Sequence, residues 1–394
     1  MILCVYSKYK MSANDTSTFL TRISSIFSQK NSRLRRSPKR SSGSSDINIK
    51  SRIDRYNIIN RELSQKISTY ECLEQSRRST MTITMTLTYK LRDIVTLTEL
   101  IGTKSKNGTI YKTKIHNKPG IYIASKVMND NDDNILETIL MKAITEQLVL
   151  TKKSKHFLIM YYYSLCMTNR NTDFALANFN ELAKGDLKSL FRQKNILENK
   201  KLQFNLLIQS IISIGTFHNL VGYIHNDCHL GNFLYFYNND SGSNNSSNSS
   251  NNNKFYHYKL NDKNFYLKSC NYGVVINDFG FSSSFMSYKN DKDSKILTDD
   301  YSRIIECFIN ALSHDENMKD ILNYIGIISN ILNSYKNPYE KSVYLFTEIL
   351  IMCSLTFPDI LFINAKDLPN GYLIINQHTP YQLYSENRVV LYNI

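Results

Sequence analysis

A long apolar run, Leu202–Leu220, gives way to a polar octet, His225-Asn-Asp-Cys-His-Leu-Gly-Asn232, and apolar residues return at once in Phe233–Tyr237. The helical period of the first run and the alternation of the last make the octet a loop that joins a helix to a strand. Read alone, the octet has three explanations. It is a plain polar turn ending a helix, a metal site drawn from His225, Asp227, Cys228 and His229, or a catalytic loop in which Asp227 and Asn232 act together. The strand that follows Asn232 without a gap favours the third.

Periodicity sorts the rest of the chain into a strand-rich part and a later helical part. Ile94–Ile101, Thr109–Ile115 and Gly120–Val127 read as strands joined by turns containing Gly or Asn. Asn134–Leu150 carries apolar residues at 136, 139, 140, 143, 144 and 148, a helical spacing. Phe157–Tyr163 and Ala175–Phe179 read as two more strands, and Tyr301–Leu312, Asp320–Tyr335 and Ser342–Phe357 as helices. This order predicts an α+β fold of two lobes, a small β-rich lobe over residues 90–187 and a larger helical lobe over 188–394. The apolar stretch Val343–Phe357 is interrupted by Thr347, Glu348 and Ser354. It is too short and too polar to span a bilayer, so no membrane partner is expected.

Charge is concentrated at one end. Residues 1–80 hold sixteen Lys/Arg against six Asp/Glu, so they supply +10 of the net +14. Between Arg22 and Ser45 there are seven basic residues and no acidic one, which predicts a disordered basic tail with at most a weak helix over Arg52–Leu73. A solvated, phosphorylatable arm is the plain reading of such a tail; nucleic-acid contact or nuclear import is the functional one. The run Asn238–Asn253 is a second low-complexity segment, expected at the tip of a long hairpin between strands 233–237 and 254–260. Seven scattered cysteines without a CxxC pair argue against a disulfide framework and a Cys-based zinc site. They predict a reducing, intracellular setting, cytoplasmic or nuclear, and the opening MILCVY lacks a signal-peptide layout. The residue usage, rich in Asn, Ile, Lys and Tyr and without Trp, is that of an AT-rich genome such as a large DNA virus, which would put the protein in a host cell.

Four further segments fall in order around the octet. Val274-Val-Ile-Asn-Asp-Phe-Gly280 is a strand running into Asp-Phe-Gly, and Ile123-Ala-Ser-Lys126 is a strand ending in Lys. Ile101-Gly-Thr-Lys-Ser-Lys-Asn-Gly108 bridges two strands, and Asn180-Glu-Leu-Ala-Lys-Gly-Asp-Leu187 precedes the helical part. Each alone has a plain reading as a turn or an exposed strand lysine. Together they resemble the eukaryotic-type protein kinase superfamily, with the octet matching H-R-D-x-x-x-x-N, then D-F-G, V-A-I-K and a Gly-rich loop. The resemblance spans about 300 residues, from Ile94 to the C-terminus.

The resemblance implies an ATP-dependent phosphotransferase using Mg²⁺ or Mn²⁺, most simply a divergent serine/threonine protein kinase acting on a protein substrate. Asp227 would orient the acceptor hydroxyl, with His229 beside it, and Asn232 and Asp278 would hold the metal. Lys126 would position the phosphates, paired with a helix Glu: Glu146 is preferred, and Glu137 is the alternative. Nucleotide contacts would come from Gly102, Gly108, Ala124, Lys126, Glu146, Glu181 and Ala183, with Asn180 at the gate of the adenine site. Departures from the family pattern matter. Asn226 replaces Arg, the glycines of the loop are six apart with no middle Gly, and no A-P-E follows Gly280. His229 stands where serine/threonine kinases carry Lys, as in small-molecule kinases of the aminoglycoside and choline type, which are one rival reading. A pseudokinase binding module is another.

Overall fold

In the strand-rich part, alternating side chains and tight turns build one antiparallel sheet. The computed structural model describes residues 49–78, 86–105, 108–166, 175–238, 253–287, 293–312 and 315–391. Its strands are β1 (Glu74–Arg78), β2 (Thr86–Leu91), β3 (Val95–Ser105), β4 (Gly108–Ile115), β5 (Tyr122–Met128), β6 (Met160–Leu165) and β7 (Leu176–Asn180), in the order β1-β2-β3-β4-β5-β7-β6. Asp46–Val389 form one compact unit; the other unit, Met1–Ser45 with Val390–Ile394, lies almost wholly outside the described residues. The basic run and residues 239–252 also lie outside them.

Two helices flank this sheet. Helix α1 (Ile49–Lys66) buries Arg52, Ile59 and Leu63. With β1 it places residues 49–78 in the ordered body, which corrects the tail assigned to residues 1–80. Helix α2 (Asp132–Ile144) starts at Asn131, whose side chain accepts the Asn134 N–H, and Asp132 and Asp133 complement its positive end. It runs on as a π turn, Thr145–Val149.

The helical part is organised around α3 (Lys200–Thr216), extended by a π turn to Val221 and buried from Gln203 onward. Ser210, Ser213 and Thr216 satisfy their hydroxyls on carbonyls one turn back, so these three polar residues sit in the core with their donors paired. The segment Lys200–Val221 has the length and apolarity to cross a membrane, yet its most apolar window is wholly buried within the protein. Helices α4 (Asp293–Ala311) and α6 (Pro338–Thr356) pack against it, and α5 (Glu316–Leu332) packs on those two. The fold is thus mixed α and β, with a sheet-forming part preceding a mainly helical one.

Two expectations fail here. Strand β10 (Phe233–Tyr237) pairs antiparallel with β13 (Tyr272–Ile276), whereas β11 (Lys254–Leu260) pairs with β12 (Lys263–Lys268). The run 238–253 therefore connects two different sheets and is not a hairpin tip. Aromatic alternation identifies strands but not their partners, and the turn Asn261–Asp262 lets β11 fold back on its nearer neighbour. Second, Cys72 and Cys166 form a disulfide. The Leu165 N–H bonds to the Thr69 carbonyl at 2.7 Å, and Ser164 donates its hydroxyl to the Glu71 carbonyl, so the chain before β1 lies along the end of β6. Cys228, Cys270, Cys307 and Cys353 are free.

Candidate functional site

Strand pairing brings the polar octet to Asp278. Phe233 opposes Ile276 across β10 and β13, so the residues just before the first and just after the second emerge side by side. The Asn277 N–H bonds to the Asn232 carbonyl at 3.0 Å. Gln209 of α3 fixes β13 from behind, accepting the Val274 N–H at 2.9 Å and donating to the Tyr272 carbonyl at 3.0 Å. Phe279 is buried, stacked on Phe217 at 4.9 Å and edge-on to His225 at 5.6 Å. Asp278 takes φ +65°, a left-handed conformation that Asp tolerates better than most residues.

Lys126 closes the site from the sheet. Its ammonium lies 2.7–2.8 Å from both carboxylate oxygens of Glu137 and 2.8 Å from Asp278 Oδ1. Burial alone would weaken the ammonium, but Glu137 and Asp278 together raise the Lys126 pKa above its ordinary value. Burial pushes Glu137 up, against the pull of Lys126. Burial acts the same way on Asp278, but Lys126 outweighs it and holds that carboxyl below the usual range.

The expected partner Glu146 is corrected to Glu137. Nine residues at 100° each put the two on opposite helix faces. Glu137 shares the buried face of Leu140, Met141, Ile144 and Leu148, a phase already present in the apolar pattern. Asn178, opposite Lys126 in β7, bonds to Thr138 and ties that turn of α2 to the sheet. Glu146 is 40% exposed and pairs with Lys142.

Asp227 is held at several atoms. Asn232 Nδ2 donates to its carbonyl at 2.9 Å and to Oδ2 at 3.0 Å. His229 Nδ1 accepts the Gly231 N–H at 3.0 Å, so the proton belongs on Nε2, which faces Asp227 Oδ2 at 3.3 Å. Arg303 Nη2 lies 3.0 Å from Asp227 Oδ1. No sequence motif pointed to Arg303. It lies in α4 three residues after Asp300, about one helical turn on, and that spacing was the available signal. Asp300 itself anchors the loop, accepting the N–H groups of His225 at 2.8 Å and Asn226 at 2.9 Å, and His218 Nε2 at 2.8 Å. Burial would raise its pKa, but these donors, His218 foremost, hold it below the usual range. Asn226, at φ +64°, donates to the Phe281 carbonyl and Ser283 Oγ, so it ties the loop to the segment after Gly280. His225 donates to the Asn277 carbonyl at 3.0 Å and is kept neutral by burial, its pKa below the ordinary value.

The remaining expected residues lie on the sheet and its exit. Gly102 lies in β3 and Gly108 opens β4, while residues 106 and 107 between the strands are outside the described residues. Gly108 has φ +137°, and a Cβ there would meet the Val127 carbonyl at 2.8 Å, so only Gly fits. Ala124 opposes Asn180 across β5 and β7. The Glu181 N–H is taken by the Ile159 carbonyl at 2.8 Å, and its carboxylate by Arg52 of α1, at 2.7 Å from Nη2. The Glu181 carbonyl has no backbone partner among the described residues. The Ala183 N–H has no partner among the described residues. The Arg52 contact joins positions 129 apart and had no sequence signal.

Among the described residues no group of three or more His, Cys, Asp or Glu is arranged to hold a metal. The donors that remain, the Asp278 carboxylate and the Asn232 amide oxygen, are both hard oxygens. They suit Mg²⁺, which takes one or two protein oxygens and completes its shell from phosphates and water. No protein-family model matches this chain, and no curated protein matches it.

Proposed function

We propose that the chain is an ATP-dependent phosphotransferase of two-lobed, protein-kinase type, acting on a hydroxyl group of a protein. The observation that carries this reading is Lys126, bonded at once to Glu137 of the helix and Asp278 of the Asp-Phe-Gly segment. Three residues spread over 152 positions have no structural need to share one partly exposed ion cluster, whereas phosphate binding requires a fixed cation beside a metal-binding carboxylate. Lys126 would orient the nucleotide phosphates, and Asp278 and Asn232 would hold Mg²⁺, which supplies charge neutralisation for the transferred group. Asp227 would accept the acceptor's hydroxyl proton as its oxygen bonds to the γ-phosphorus and ADP leaves.

The test is labelled ATP–Mg²⁺ with purified protein and generic acidic and basic protein substrates. Asp227→Asn and Asp278→Ala should each remove nearly all transfer, on the order of 10³-fold or more. Asp278→Ala should also abolish Mg²⁺-dependent nucleotide binding, which Asp227→Asn should leave intact. Wild-type turnover in either variant would refute the assigned role. One observation favours a second reading, a small-molecule kinase: Asp227 is flanked by His229 and Arg303, a setting able to receive a compact anionic acceptor. ATP consumption stimulated by a small hydroxyl compound, with no labelled protein, would select it.

A further inference from the structure

The two carboxylate oxygens of Asp227 are not equally occupied. Oδ2 takes Asn232 Nδ2 at 3.0 Å and faces His229 Nε2 at 3.3 Å, which uses both of its lone pairs. Among the described residues Oδ1 meets Arg303 Nη2 alone, at 3.0 Å. An entering hydroxyl therefore has its place on Oδ1, beside the arginine. Two donors each about 3 Å from one oxygen stand about 5 Å apart, so that hydroxyl is a neighbour of the guanidinium.

Arg303 has bonding capacity left for such a neighbour. It lies in α4, and its side chain is 49% exposed, against 20% for Asp227. Of its five N–H groups, one faces Asp227 and one the Asn226 carbonyl, at 3.4 Å. Among the described residues, Asp299 and Glu306, about one turn away on the same helix, form no ion pair with it. Nor does Asp227 need the arginine to be aimed, because Asn232 already holds both its carbonyl and Oδ2. A half-exposed cation is thus fixed beside the place where the acceptor hydroxyl enters.

We propose that Arg303 selects the acceptor: the site phosphorylates protein hydroxyls whose neighbouring residue is acidic. The neighbour's carboxylate bonds to the guanidinium while the hydroxyl donates to Asp227 Oδ1. This rests on the phosphotransferase reading of the site and names its substrate class. Arginine makes short, charge-assisted bonds to carboxylates, which suits the pairing. Consecutive Cα atoms lie about 3.8 Å apart, so an acid next to the hydroxyl reaches Arg303, and one five residues along an extended peptide, about 17 Å away, does not.

The test is steady-state transfer from ATP–Mg²⁺ by the full chain to three serine peptides. One has Glu beside the serine, one has the same composition with that Glu five residues away, and one has Gln in its place. The first should show kcat/KM about tenfold or more above the other two, and in Arg303→Gln the three should agree within about twofold. The ratio within one enzyme cancels any general loss of rate that Arg303→Gln causes through Asp227. If that variant has no measurable turnover, the same ratio is read from the affinities of the Ser→Ala peptides in the presence of a non-hydrolysable ATP analogue. An undiminished preference in Arg303→Gln would overturn the proposal. So would equal rates on all three peptides in the wild type; labelling of generic proteins in the same assay would then leave the phosphotransferase reading standing. Transfer to glycerate, a small hydroxy acid, with none to any peptide or protein would replace the acidic protein by a small anionic acceptor. No transfer to peptide, protein or glycerate would refute the phosphotransferase reading, and this proposal with it.

Discussion

At Lys126 the choice between two glutamates turns on a half-turn of helix. Glu137→Ala leaves a buried ammonium with Asp278 alone, and breaking such a pair costs about 3–5 kcal/mol. Glu146→Ala removes a partly exposed helix pair and should cost no more than about 0.5 kcal/mol. Urea unfolding of both variants checks the contrast; equal costs would return Glu146 to the site. Two histidines set a pH dependence. Burial holds His156 and His225 neutral, with pKa values below the ordinary 6.5, and His156 also meets Lys155. The unfolded chain takes up protons on both rings near pH 6.5, while the folded protein resists doing so. The stability is complete above that pH and is lost as pH falls below it, by up to about 1.4 kcal/mol per unit for each ring. The Asp300 and Asp278 carboxylates lose their own contribution only further down, because both titrate below the usual carboxylate range. Melting temperature should therefore fall between pH 6.5 and 5, and His156→Gln should flatten that slope. A flat profile in the wild type would contradict the buried neutral rings.

Among the elements, α1 is the one whose role was misjudged. Its composition is basic and its apolar stripe short, so periodicity suggested only a weak helix in a tail. In the fold it buries Ile59 and Leu63, and its buried Arg52 makes bonds to Glu181 and to the carbonyls of Lys155 at 2.7 Å and Phe157 at 2.6 Å. The helix therefore braces the strand exit at Asn180–Ala183. Arg52→Ala strands the Glu181 carboxylate at 4% exposure and should destabilise the protein by about 3–5 kcal/mol. Arg52→Lys should recover little of this, because one ammonium cannot serve a carboxylate and two carbonyls in a planar fork. Thermal unfolding of both variants reads the result, and a wild-type melting temperature for Arg52→Ala would show that α1 is a bystander. The helices and core strands, by contrast, follow their patterns closely: α2 and α3, each continued by its π turn, and α6 match the runs their periodicity marked to within about four residues at either end.

Across the whole molecule, long-range links carry what no local pattern encodes. The Cys72–Cys166 disulfide spans 94 positions and fastens the segment before β1 to the sheet's far edge. Closing a loop of that size stabilises by about 2–4 kcal/mol, so reduction or Cys72→Ser should lower the melting temperature by several degrees. An unchanged transition with and without reductant would argue that the bridge does not form in solution. The sequence by itself determined the order of strands and helices, the polar octet and its Asp and Asn, the Asp-Phe-Gly segment and the strand lysine. Those features are local: a period of 2 or 3.6 residues and a fixed motif spacing are written along the chain. Tertiary structure alone decided that Lys126 meets Glu137, that Arg303 reaches Asp227, that Arg52 locks onto Glu181, and that β10 and β11 take different partners. Each of these depends on which faces the packing brings together, and burial energy summed over the whole core, not the propensity of any one segment, sets that choice.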